Sequence, residues 1–277
     1  MAKAIGLIGN FKGKVGNMVG YQIPDSNTGN TQGIRIYQPV VKNPKTSAQA
    51  EQRAKLAPIN ATYRLLKAVI DRGNEGLPYG NKSRLAWLKG AFKAEEMPWI
   101  EKGKFVNFPV GCQLTKGSLP SLTYQQSEDF ITINCAGLVA ETSLATVGAI
   151  SAALLAAYSF LKDGDQITVV QVSSVAGGMV QRTVSFEINA TSTVAIAGFT
   201  ANAGAIQFES EIAGIAGAVI VSREGESGQH LRSTESLAIT TTITSEAPYD
   251  ADSKADAVAS YMASAAGSTD WAEESIQ

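Results

Sequence analysis

Few residues in this chain combine a type and a spacing suited to chemistry. His230 is the only histidine, so a site built from several imidazoles cannot form. No cysteine or carboxylate stands beside it at a familiar metal-ligand spacing. It reads as part of a polar loop over 225–232. The two cysteines, Cys112 and Cys135, lack a Cys-x-x-Cys spacing and read as small buried apolar residues in strands, with a disulfide between them left open. Gly13-Lys14-Val15-Gly16 lacks the Gly-Lys-Ser/Thr ending of a phosphate-binding loop, and Gly6-Leu7-Ile8-Gly9 lacks the third glycine of a dinucleotide fold. Glu95-Glu96 and Glu273-Glu274 are neighbours in sequence, and adjacent side chains rarely converge on one substrate. These features predict a protein that is not an enzyme, with no cofactor, no metal and no small-molecule substrate.

The cationic residues of the first third are more suggestive. Lys12, Lys14, Arg35, Lys42 and Lys45 lie near Tyr21 and Tyr37, and Arg53 and Lys55 continue the series, followed by Arg64 and Lys67. Ammonium and guanidinium groups beside aromatic rings can neutralise phosphates while the rings stack on bases. The same groups can hold an acidic protein surface. Lys12, Lys14, Tyr21, Arg35, Tyr37, Lys42, Lys45, Arg53 and Lys55 are therefore the candidate contact residues, for a protein partner or for nucleic acid.

The elements that would carry them follow from periodicity and punctuation. Glycines at 6, 9, 13, 16 and 20 break the first 45 residues into short strands over 4–8, 15–23 and 33–41, with a polar hairpin loop over 24–30. Thr46 is a helix N-cap, with Gln49 three residues on completing a capping box. Pro58 predicts a break near Ala57. Ile59, Tyr63, Leu66 and Ile70 share one helical face, and Gly73 is a terminator. A second helix over 82–95 carries the stripe Leu85, Leu88, Phe92, and Pro98 ends it.

Beyond residue 104 the period shifts toward two. Strands are predicted over 105–110, 130–135, 166–172, 179–188, 193–199, 205–208, 216–223 and 237–243, the third and fourth forming a hairpin at Gly177-Gly178. An uncharged helix over 143–161 is rich in small residues, which favours burial over a membrane span. Asp252 and Ser253 open a last helix with Ala255, Val258 and Met262, and an acidic tail runs over 270–277.

Charge divides along the same line. The chain of 277 residues has a net charge of −2, yet residues 1–110 hold 17 Lys and Arg against 7 Asp and Glu, while 111–277 hold 6 against 18. The expected organisation is a basic β-ribbon or docking arm over 1–45, a helical region over 46–103, and an acidic β-rich domain with a C-terminal helix over 104–277. The fold class is α+β: a glycine-rich β-ribbon and a helical pair, then an antiparallel β-sandwich-like domain with a few helices. The start of the chain is too short and polar before Lys12 and Lys14 for a secretory signal.

Gly13-Lys14-Val15-Gly16-Asn17-Met18-Val19-Gly20-Tyr21, followed by Asn43-Pro44-Lys45-Thr46-Ser47-Ala48-Gln49 and Gln52-Arg53-Ala54-Lys55, resembles a family of uncharacterised phage and gut-bacterial proteins over about the first 70 residues. The resemblance implies a virion or other assembly component and brings no catalytic residues with it. The expected function is a non-enzymatic structural or assembly protein of a phage particle, located in the virion or the host cytoplasm. Its partners would be further copies of itself or other virion proteins. The alternative is a nucleic-acid-binding protein using the basic N-terminal region.

Overall fold

The computed structural model describes residues 13–25, 29–37, 46–136, 146–176, 178–202, 204–209, 212–225, 230–240 and 251–266. The chain divides into two compact units, 1–45 and 46–277. Both are built from antiparallel sheets, the second with helices, and the chain is α+β.

The first unit is a three-stranded sheet of β1 (Gly13–Val15), β2 (Met18–Asp25) and β3 (Gly29–Ile36) in that order. β1 and β2 are joined by Gly16-Asn17, where Gly16 takes the left-handed φ of 57° that a tight hairpin requires. This turn divides the single strand expected over 15–23. β3 extends by one more bond, from the Tyr37 N–H to the Asn17 carbonyl at 2.6 Å. The strand expected over 4–8, and residues 38–41 of the one expected over 33–41, lie outside the described residues.

The second unit opens with α1 (Ser47–Leu65), capped by Thr46, whose Oγ1 accepts from the Gln49 N–H at 3.3 Å. Only half of the expected capping box forms, since Gln49 Oε1 is buried without a hydrogen-bond partner. The expected break at Pro58 does not occur, and α1 runs through it. The lost proline N–H is tolerated on the buried side of the helix, where Thr62 Oγ1 donates to the Pro58 carbonyl at 2.9 Å and accepts from the Val110 N–H at 3.1 Å. The interruption falls instead at Leu66, before α2 (Lys67–Ile70). Gly73 follows, and its role is close approach: a Cβ there would sit 2.5 Å from the Leu114 carbonyl.

α3 (Asn81–Ala91) buries Ser83, Trp87 and Ala91. Of the expected stripe, Leu88 and Phe92 are partly buried and pack against the same core as Trp87, while Leu85 stays exposed. Trp87, 4% exposed, anchors the buried face with its large ring.

Two antiparallel sheets follow. The larger has the order β11-β10-β6-β7, with β12 also on β10. Its strands are β6 (Gln166–Val175), β7 (Gly178–Glu187), β10 (Gly214–Glu224), β11 (His230–Arg232) and β12 (Ala238–Ile239). The smaller has the order β4-β5-β9-β8, from β4 (Tyr124–Gln126), β5 (Phe130–Asn134), β8 (Phe199–Asn202) and β9 (Ala205–Glu209). α4 (Val147–Ala157) lies between β5 and β6 in sequence, and α5 (Ala251–Ala266) ends the described chain.

Alternation assigns the two faces of β6 and β10 to different cores. Ile167, Val169, Val219 and Val221 join Ile131, Ile133, Ile206 and Phe208 of the smaller sheet, and Ile150 and Leu154 of α4. Val170, Val172, Ala218 and Ile220 face Ile59, Leu66 and Ile70 of α1–α2, and Trp87 of α3. The helices are thus a layer on the sheet. Cys112 lies in the helix-side core and Cys135 in the other, and both thiols are free. Burial pushes the Cys112 thiol up to about 12 and the Cys135 thiol up to about 11.

Two predicted strands are absent. Residues 105–110 form none, and Phe105 is 72% exposed. Of 193–199, Ala195 makes one isolated bridge to Thr146, and β8 begins only at Phe199. Neither segment finds a neighbouring strand whose register could pair it. The 237–243 strand reduces to β12, with 241–243 outside the described residues, as is the tail over 270–277. On α5 the buried residue is Ala257, while Met262 is exposed. Among the described residues, no helix is long and apolar enough to cross a membrane.

Candidate functional site

The ribbon's register sorts its side chains onto two chemically different faces. Lys14 pairs with Val19, and Val19 with Arg35, so the two cations share one face. Tyr37, two residues from Arg35, joins them: Lys14 Nζ stands 3.6 Å from its ring centroid. Tyr21 is on this face opposite Gly33, and its ring lies over the glycine so closely that a Cβ there would be 2.5 Å from the ring. Tyr21 thus helps to hold the ribbon together.

The opposite face is apolar. Val15 pairs with Met18 and Met18 with Ile36, one row across all three strands. Their exposures are 59%, 44% and 77%. Sequence reading missed this row, because it becomes visible only once the Gly16-Asn17 turn sets the register.

The other candidate contact residues scatter. Lys12, Lys42 and Lys45 lie outside the described residues. Arg53 is exposed on α1. Lys55 is drawn into a local network on the second unit: Glu51 lies 3.9 Å from it and 2.9 Å from Lys254, and Lys55 and Lys254 stand 5.9 and 5.2 Å from the Trp99 ring. The Lys254 hydrogen bond holds the Glu51 carboxyl below its usual value, against weak desolvation. The structure brings Lys14, Tyr21, Arg35 and Tyr37 together in the first unit, and places Arg53 and Lys55 in the second.

A second concavity was invisible in sequence. At one end of the larger sheet, on the face that the helices cover elsewhere, a polar row runs Glu187–Gln166–Ser222–Arg232 across β7, β6, β10 and β11. The next cross-strand pair on this face is Glu224 with His230. The α2–α3 connection supplies Arg72 and Tyr79, closing a cleft of about 460 Å³ over this row. The Tyr79 ring is 5.4 Å from the His230 ring and 5.6 Å from the Arg72 guanidinium. Glu75 ties the connection to β11, accepting from the Arg232 N–H at 3.2 Å and the Ser118 N–H at 2.9 Å. Burial alone would raise the Glu75 carboxyl, but these donors hold it below its usual value. His230, expected in a loop, stands on β11 at the rim of this cleft. Among the described residues, no group of three or more His, Cys, Asp or Glu is placed to hold a metal ion.

No protein-family model, curated protein or solved structure matches this chain.

Proposed function

We propose that this protein is a non-enzymatic structural or assembly component whose first unit docks onto a neighbouring molecule. The observation that carries the reading is the exposed row Val15–Met18–Ile36. A sheet of two or three short strands buries little apolar surface by itself, and such a face gains stability when a partner covers it. Charge favours another copy as that partner: residues 1–45 hold six Lys and Arg against a single acid, Asp25, so the remaining 232 residues hold 17 against 24. The two antiparallel sheets that contribute to one apolar core support a sandwich-like body. The resemblance of the first 70 residues supports placing the assembly in a phage particle, in the virion or the host cytoplasm.

The test is the mass of full-length protein in solution across ionic strength, by light scattering on a sizing column. A multimer is expected for the native chain, and a monomer with an unchanged melt for V15S/M18S/I36S. A native chain that is monomeric at every salt concentration overturns the reading. The Lys14–Tyr37–Arg35 face favours nucleic acid as the second reading. That reading requires retention on single- or double-stranded DNA that falls steeply with salt and is lost in K14A/R35A.

A further inference from the structure

The polar cleft at the end of the larger sheet has a composition that a docking protein does not need. Its volume of about 460 Å³ falls within the range of small-molecule sites, about 300–1,000 Å³. Arg72, Arg232, Glu187 and Glu224 all line it. Among the described residues, none of the four is engaged in an ion pair. Arg223, by contrast, is paired, with Nε 2.5 Å and Nη2 2.6 Å from the Asp165 carboxylate and Nη2 donating to the Phe160 carbonyl at 2.7 Å. Arg72 and Arg232 have no such carboxylate partner among the described residues.

The mixture of charges discriminates between ligand classes. A bare anion would gain from Arg72 and Arg232 but would face two carboxylates. A cation would meet the reverse problem. The charges are spread along the cleft: Arg232 and Glu187 stand at opposite ends of the four-strand row, three strand spacings or roughly 14 Å apart, while Glu224 stands near Arg232 at the β10–β11 end. A ligand with one anionic group and several hydroxyls satisfies both ends. Its hydroxyls donate to the carboxylates, its oxyanion accepts from the guanidiniums in a planar fork, and Gln166 does both. Tyr79, 48% exposed at the rim, adds a flat apolar surface against which the C–H face of a sugar ring can lie.

From these features we infer that the cleft of Tyr79, Arg72, Arg232 and Glu187 binds a saccharide that carries an anionic group, either a carboxylate or a phosphate. This goes beyond the assembly reading and stands on different residues in a different unit.

The experiment is calorimetric titration of the full-length protein with glucuronate, glucose 6-phosphate, glucose and inorganic phosphate in parallel. At least one of the two charged sugars is expected to bind, and which one identifies the anionic group. Glucose and phosphate are each expected to bind about tenfold or more weakly. R72A/R232A should abolish binding, Y79A should weaken it about tenfold, and the near-isosteric E187Q should weaken it severalfold. These side chains border open solvent, so the melting temperature of each variant should stay close to that of the native chain. The inference is overturned if neither charged sugar binds, if phosphate or glucose alone binds as tightly as the charged sugars, or if R72A/R232A binds normally. Because the native chain's oligomeric state is not the readout, failure here leaves the docking ribbon standing, and a monomeric chain leaves the cleft standing.

Discussion

Strand β10 and the strands of the ribbon share an extended backbone and an antiparallel ladder, yet their surroundings are opposite. Every β10 residue from Gly214 to Ser222 is buried, with helices against one face and a second sheet against the other. Across the ribbon, Val15, Met18 and Ile36 stand on one face and lie between 44% and 77% exposed. The ladder sets register in both places, but apolar burial supplies stability only where a second layer exists. Apolar residues in a strand thus record two different things: an interior already formed, or a face open to solvent.

Substitutions that separate these two cases follow in order of size. The largest effect is expected at Val219, fully buried between the sheets. Val219→Asp would place an unpaired carboxylate in that core, costing more than about 4 kcal/mol and eliminating the cooperative thermal transition seen by circular dichroism. A variant that melts normally would show that the interior is not closed on both sides. Next is Arg223→Ala, which strands the carboxylate of Asp165, 1% exposed, without its cation. Loss of one partner of a buried pair costs about 3–5 kcal/mol, readable in a urea titration as a lower midpoint at unchanged slope.

Glu235 gives a smaller effect with a defined sign. Burial raises its carboxyl above the ordinary value, outweighing the nearby hydroxyls of Ser121, Ser233 and Tyr124, which favour the charged form. Its Oε1 is buried without a partner. The folded chain therefore favours the protonated acid. Its contribution is complete below the unfolded value, about 4.3 for Glu, and is lost as pH rises through the higher folded value. Glu235→Gln, which stays neutral, should raise the melting temperature by a few degrees at neutral pH, with the gap closing near pH 4. A gap that widens on acidification would reverse the assignment. The smallest effect on stability is expected at Ile36, where Ile36→Ser should leave the melt of the 46–277 unit within about 1 °C, while lowering the population of multimers.

How far the sequence revealed all this depends on the range of the interactions involved. The Thr46 cap, the alternation of Ile131, Ile133 and Cys135, and the antiparallel pairing of β6 with β7 are local patterns, and each is found in the fold, with Gly178 itself the first residue of β7, paired with Val175. Residues 105–110 alternate just as well but find no pairing partner, so pattern alone overcalled a strand there. Leu85 was preferred over Trp87 because spacing ranks positions without knowing which ring the sheet will accept. The polar cleft had no signal of its own, since residues 72, 79, 166, 187, 222, 224, 230 and 232 meet only through strand order and the α2–α3 connection. The ribbon's two faces fell between these cases: its residue types were legible, and its register was not.

The helical layer also carries a consequence for biosynthesis. α1 begins at Ser47, but the strands on which α1–α3 rest run from Gln166 to Ile239. A nascent chain emerging from the ribosome therefore has its helices, and the ribbon before them, made well before the surface that shields their apolar sides. Closure of that layer waits on loops that span more than a hundred residues, which makes it slow and vulnerable to misassociation. A chaperone that holds residues 47–91 until β10 emerges would act at the step where this protein is most exposed.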